Sequence, residues 1–309
     1  MKRSVKIALA SAVPVLAAAQ FYDYVFARQE PQLIHALKSR KPSSLHKSAY
    51  YQWRDAATAE ARAKPHTVLT LRSERGHTLR GHLWQAGPVP AKTVAFLVHG
   101  YRSCAQETVG PFLSYYHSRG IDVFACDHEA AGESEGRYFS YDYYESRCCL
   151  QWLDAMISRY GSSVQILLHG FSMGASTVLH MSDRCPSQVK FLVSDCGYTS
   201  GRDILVYQTG NRKLLYALLR GINRLAAGFD LEETDVRPHL ARTDKPILFV
   251  HGTADPTVPY WMGQTLYDRC PTPKAMLTVQ DGFHVESFFR ARSEYEEKLD
   301  DFLRRYLTQ

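Results

Sequence analysis

Gly170-Phe171-Ser172-Met173-Gly174 is the stretch that decides the fold, because this Gly-x-Ser-x-Gly stands between an unbroken apolar run and an amphipathic one. Val164 to Leu168 reads as a buried strand and Ala175 to Met181 as a helix, which leaves Ser172 on the corner between them. So tight a turn forces the corner residue into a strained backbone conformation, and glycines on either side let strand and helix approach without a clash. The serine hydroxyl is then carried above the end of a sheet. A Gly-x-Ser-x-Gly also occurs in ordinary glycine-rich loops, so the pentapeptide has to be weighed together with its partners.

A serine hydroxyl is a weak nucleophile at neutral pH unless a base takes its proton and a third group holds that base in the right tautomer. Pro246 to Pro259 runs from an apolar strand into a Gly-x-x-Asp turn and sets Asp255 just past the strand's end. A further short strand, Ala275 to Val279, leads into Asp281-Gly282-Phe283-His284. His284 is the candidate base and Asp255 the candidate acid. The plainer readings are a surface-loop histidine and a turn-forming Asp-Pro pair. Asp195, after the strand Phe191 to Ser194, is the alternative acid. Phe96-Leu97-Val98-His99-Gly100-Tyr101 ends a hydrophobic strand in His-Gly. There the backbone N–H groups of Tyr101 and Met173 are the candidate donors to a developing oxyanion.

Together these segments resemble a serine hydrolase of the α/β-hydrolase superfamily. The likeness is to the bacterial branch grouped with serine aminopeptidase-like and monoglyceride-lipase-like hydrolases. It rests on Val98 to Tyr101, Asp127 to Gly136, His169 to Ala175, Ser194 to Ser200, His251 to Pro259 and Gly282 to His284, in the order Ser, Asp, His. It covers roughly residues 65 to 309. His128-Glu129-Ala130-Ala131 departs from the Arg-Gly-His of many relatives and touches none of the three candidate residues. The resemblance implies a mostly parallel central sheet with helices on both faces and a small helical cap. It also implies catalysis by Ser172, Asp255 and His284 without a cofactor.

Elsewhere short strands alternate with helical stretches, as parallel βαβ units require. Strands are expected at Thr67 to Arg72 and Leu79 to Trp84 as a hairpin, then at Thr93 to Val98 and Ile121 to Cys126. Helices are expected near Glu107 to Ser118 and Tyr141 to Tyr160. The organisation is a segment 1–27, a partly helical connector 28–65, and a domain 66–309 with a cap insertion at about 201–243. The cap's centre, Leu214 to Leu225, is strongly apolar; it reads either as a roof over the site or as a helix packed on the core.

At 309 residues, 45% hydrophobic and 22% charged, the chain can bury one large core. A net charge of +6 with dispersed Lys and Arg and no nucleic-acid motif excludes a nucleic-acid partner from the reading. Lys2, Arg3 and Lys6 precede the apolar Ile7 to Ala19, which fits a secretory signal or an N-terminal membrane anchor. A packed helix in a cytoplasmic protein is the remaining reading of that segment. Seven cysteines lack metal-ligand spacing, and His99, His169 and His251, each before Gly, are explained by tight turns, so no metal is expected. The expected partner is a small or lipid-like acyl substrate, cleaved as an ester through an acyl-enzyme. Lipase, thioesterase or peptidase activity, or a non-catalytic binding protein keeping the fold, are the alternatives. Oligomeric state is not legible.

Overall fold

Strands that bury side chains on both faces need a sheet covered on both sides, and five runs of this chain do so at nearly every position. In the computed structural model, which describes residues 18–28 and 49–308, they are β3 (Thr93–Val98), β4 (Asp122–Cys126), β5 (Gln165–Phe171), β6 (Val189–Asp195) and β7 (Ile247–Gly252). β1 (Thr67–Arg72) and β2 (Thr78–Trp84) form the expected hairpin at one edge, and β8 (Lys274–Val279) forms the other. The eight strands lie in the order β1-β2-β4-β3-β5-β6-β7-β8. β2 pairs antiparallel with β1 and β4; every other pairing is parallel.

Alternation along the strands divides the core in two. Phe96, Phe124, Leu168, Leu192 and Phe249 meet Trp152 of the helix Tyr143–Tyr160 on one face. Leu97, Ala125, Leu167, Phe191 and Leu248 meet the helices Ala105–His117 and Arg292–Tyr306 on the other. β3 lies between β4 and β5, so the chain leaves it in opposite directions and a crevice opens at the strands' C-terminal ends. Tyr101 follows β3 and Ser172 follows β5, which puts both at that crevice.

The expected fold class holds, several element ends shift by one or two residues, and both ends of the elbow move toward Ser172. β5 runs to Phe171 and the next helix, Met173–His180, starts two residues later, so the turn is Ser172 alone. A Cβ on Gly170 would lie 2.2 Å from the carbonyl oxygen of Gly174, and one on Gly174 would lie 2.0 Å from that of Val98. Periodicity locates apolar faces but not a turn this short, where backbone packs on backbone.

Residues 18–26 are helical and lie on the body, and the helix Ala49–Ala63 packs across Ala105–His117, with Trp84 Nε1 donating to the Ala61 carbonyl at 3.0 Å. Between β6 and β7 stand the helices Gly201–Gln208, Lys213–Ala226 and Arg237–Leu240. Among the described residues no helix is long and apolar enough to cross a membrane. The signal or anchor expected at 1–27 falls largely on residues 1–17, outside the described residues.

Two glycine substitutions separate close backbone approach from mere helix propensity. Gly174→Ala should destabilise by about 3 kcal/mol or more, since backbone atoms must shift. Gly221, inside the helix Lys213–Ala226 with nothing within 4 Å of an added Cβ, should gain about 0.5–1 kcal/mol as alanine. Urea melts of both variants measure the two signs.

Candidate active site

Ser172 adopts φ 54° and ψ −118°, a conformation L-residues rarely take. Three contacts over-determine it: Gly170 against Gly174, Gly174 against β3, and the Ser172 N–H donating to the Asp195 carbonyl at 2.8 Å. Strain of this kind persists only where the surroundings fix it.

Asp255 sits in the turn after β7 and uses its two carboxylate oxygens differently. Oδ1 accepts from the N–H groups of Thr257 and Val258 at 2.8 and 2.9 Å, and Oδ2 accepts from His284 Nδ1 at 2.7 Å. The turn-forming role and the histidine-holding role therefore belong to one buried side chain. His284 Nε2 lies 2.8 Å from Ser172 Oγ. Because a carboxylate only accepts, Nδ1 carries the imidazole proton and Nε2 is left to receive the serine's. The loop bearing His284 is pressed onto β7: a Cβ on Gly252 would stand 2.2 Å from the Gly282 carbonyl oxygen. Val285, the next residue, is held at φ 57°, a strained place for a β-branched side chain.

The two candidate oxyanion donors flank the serine. Met173 opens its helix, so its N–H belongs to the first-turn donors that have no intrahelical acceptor. Tyr101 lies on the loop after β3, where an added Cβ at Gly100 would be 3.2 Å from Ser172 Cβ. That loop is tied down by the chain's N-terminal segment: Tyr101 Oη donates to the Val25 carbonyl at 2.8 Å, and Arg102 Nη2 to the carbonyls of Tyr24 and Ala27 at 2.7 and 3.2 Å. His99 braces it from below, through Nδ1 to the Gly100 carbonyl at 2.7 Å and by accepting the His128 N–H at 3.0 Å.

Ser172 opens onto two cavities. One, of about 220 Å³, runs between Phe112, Phe171 and Phe288 and is walled by Tyr50, Trp53 and Arg54 of the helix Ala49–Ala63. The other, of about 170 Å³, lies under the cap residues Ile204 and Gln208 beside Tyr198 and Val258. The cap helix over the serine is thus Gly201–Gln208; the strongly apolar Lys213–Ala226 lies outside it. Neither Tyr50 nor Trp53 could be singled out from the sequence, since a helix far upstream shows no sign of where it docks.

Asp195, the alternative acid, also borders the larger cavity, yet its described hydrogen bond is to Tyr295. Tyr295 Oη donates to Oδ2 at 3.0 Å and takes part in a buried chain with His169 Nε2 at 2.8 Å, whose Nδ1 meets Tyr116 Oη at 2.9 Å. Asp195 Oδ1 has no hydrogen-bond partner. Burial pushes the Asp195 carboxyl up to about 7 against the hydrogen bond from Tyr295 and the attraction of His284. Burial also drives His169 down to about 3, so that imidazole is neutral. His99, His169 and His251 do not converge: His251 Nε2 is bonded to the Val258 carbonyl at 2.8 Å.

Among the described residues two trios bring possible metal ligands within 4.8 Å of one another: Cys126, His128 and Cys149, and Cys196, Asp255 and His284. Burial raises the thiols of Cys149 and Cys196 well above their ordinary value, which keeps them protonated and opposes ligation. In the second trio Asp255 Oδ2 is already committed to His284.

The Asp195 carboxyl carries a pH signature in stability. Its value is raised on folding, so its stabilising share is full at low pH and is lost as pH rises from the ordinary carboxylate range through about 7. Asp195→Asn removes that loss. The melting-temperature difference between variant and wild type should move in the variant's favour from about pH 4 to about pH 8. An unchanging difference would mean that Asp195 does not titrate in this window.

A family model described as serine aminopeptidase, S33, matches residues 89–228, and an α/β-hydrolase model described as TAP-like protein matches residues 228–307. The uncharacterized protein YqkD of Bacillus subtilis is 24% identical over 243 residues, 77% of this chain and 79% of its own. The Pyrococcus furiosus esterase Pf2001 superposes with a TM-score of 0.65 at 20% identity, covering 80% of this chain and 95% of that one. A Mycobacterium tuberculosis puromycin-hydrolyzing peptidase does so with a TM-score of 0.63 at 18% identity, covering 81% of this chain and 40% of that one. With two adjoining matches spanning residues 89–307 and the strand order and elbow described above, the chain belongs to the α/β-hydrolase superfamily.

Proposed function

We propose that this hydrolase-family protein is a serine esterase that cleaves carboxylic esters of small or medium acyl groups through an acyl-enzyme. The observation that carries the reading is the continuous line Ser172 Oγ to His284 Nε2 at 2.8 Å and His284 Nδ1 to Asp255 Oδ2 at 2.7 Å, opening on a cavity of about 220 Å³.

In this reading Ser172 Oγ attacks the acyl carbon while its proton passes to His284 Nε2. Asp255 stays ionised and stabilises the imidazolium. The carbonyl electrons move onto oxygen, which takes hydrogen bonds from the N–H groups of Tyr101 and Met173. As the tetrahedral intermediate collapses, the imidazolium returns its proton to the leaving alcohol and the acyl group remains on Ser172. Water then repeats the sequence, with His284 again as base, and frees the acid.

A fluorophosphonate probe tests the nucleophile: wild type should be labelled at Ser172 and Ser172→Ala should not. Loss of labelling in folded wild type would favour a binding protein that merely keeps the fold. Asp255→Asn should keep the fold and lower kcat for a p-nitrophenyl ester by about 10⁴-fold, because the imidazole then takes the other tautomer. Arg102→Ala frees the oxyanion loop from the carbonyls of Tyr24 and Ala27. It should reduce kcat by about tenfold to a hundredfold with little change in KM, as a slight misplacement of donors would.

A further inference from the structure

The helix Lys213–Ala226 carries apolar side chains on both its buried and its outer face. Its buried positions are Tyr216, Leu219 and Asn223. Asn223 is held at both ends of its amide, accepting from Tyr22 Oη at 2.9 Å and donating to the Phe229 carbonyl at 2.9 Å. Three of its five leucines point outward: Leu214 is 88% exposed, Leu218 47% and Leu225 91%, while Leu219 is buried. Positions 214, 218, 221 and 225 fall along one line of the helix, and Ala217 and Gly221 on that side are exposed as well. The outer line therefore carries no polar side chain. Burial of Tyr216 and Leu219 holds the inner face on the body, and the contiguous apolar line left on the outer face is what a helix offers to an apolar medium.

Charge and chain path identify that medium. Arg212 and Lys213 stand exposed where the helix begins and Arg224 where it ends. The nearby carboxylates are occupied, Asp230 by Arg220 and Arg224, and Glu232 by Arg202 and Arg220. Through Tyr22, residues 18–26 are fixed to this same helix. Between the two helices lies a groove of about 550 Å³ lined by Phe21, Tyr24, Leu205 and Leu215. It ends at Tyr101 and Tyr141, which also line the small cavity at Ser172.

We propose that the outer face of Lys213–Ala226 docks on an anionic lipid bilayer. The helix lies in the headgroup plane with Leu214, Leu218 and Leu225 inserted, and the groove beside it admits the substrate's acyl chain from that side. The docking stands on its own; the route of the acyl chain rests on Ser172 being the nucleophile.

Sedimentation of the full chain with vesicles tests the docking, and no turnover is needed to read it. Wild type should bind phosphatidylglycerol–phosphatidylcholine vesicles about tenfold or more tightly than phosphatidylcholine alone. Leu214→Glu with Leu225→Glu should weaken that binding by about tenfold or more, at unchanged melting temperature. The double variant should hydrolyse a water-soluble p-nitrophenyl ester as wild type does, and a vesicle-borne ester more slowly. Undiminished vesicle binding by the double variant overturns the proposal, including the case in which only removal of residues 1–17 abolishes binding. So does a wild type that ignores vesicles but forms a dimer which the two glutamates dissociate. Wild-type docking without ester turnover would retain the surface and discard the nucleophile.

Discussion

The close approach of Gly174 to the Val98 carbonyl is the constraint on which the rest of the site depends. It brings the helix after β5 down onto the end of β3, so that a single residue makes the turn and that residue takes a positive φ. Ser172 is thereby lifted out of the sheet while its N–H remains tied to β6 through the Asp195 carbonyl. Met173 becomes the first residue of the helix, and its amide stands next to the serine hydroxyl's neighbourhood. One contact between backbones thus fixes the position of a candidate nucleophile and of a candidate oxyanion donor together.

Around that point the protein places rigid supports on both sides. β7 and the loop after β8 meet through Gly252 and Gly282, which sets His284 within reach of both Asp255 and Ser172. Opposite, residues 24–27 clasp the Tyr101–Arg102 loop through backbone carbonyls. Carbonyl acceptors tolerate change of the side chains around them, so this clasp leaves little mark on the sequence. Beneath, Tyr116, His169, Tyr295 and Asp195 form a linear buried polar chain that ends on Asp195, whose Oδ1 has no partner among the described residues. Such a chain is costly if half-satisfied and rigid when complete.

Much of the fold was legible because burial on both faces leaves a local signature. Thr67 to Arg72 and Thr93 to Val98 are strands with the expected bounds, since long apolar runs bounded by turns admit few other readings. The elbow's ends were displaced by a few residues, to Phe171 and Met173, where glycine contacts and not hydrophobicity set the limits. Two placements were hidden. Tyr50, Trp53 and Arg54 wall the serine's cavity from a helix that reads locally as a connector, and Leu214, Leu218 and Leu225 face outward although the pattern they belong to is equally that of a core helix.

By itself the sequence determined the alternation of strands and helices, the corner at Ser172, and the order in which a hydroxyl, a carboxylate and an imidazole follow one another. Those features depend on neighbours along the chain, through periodicity and turn chemistry. Only the tertiary structure decided that Asp255 and not Asp195 faces His284, that residues 24–27 hold the Tyr101–Arg102 loop, and which side of the outer cap helix meets the surroundings. Each of these is a contact between residues tens to hundreds of positions apart, and its geometry is set by packing of whole elements that no local pattern encodes.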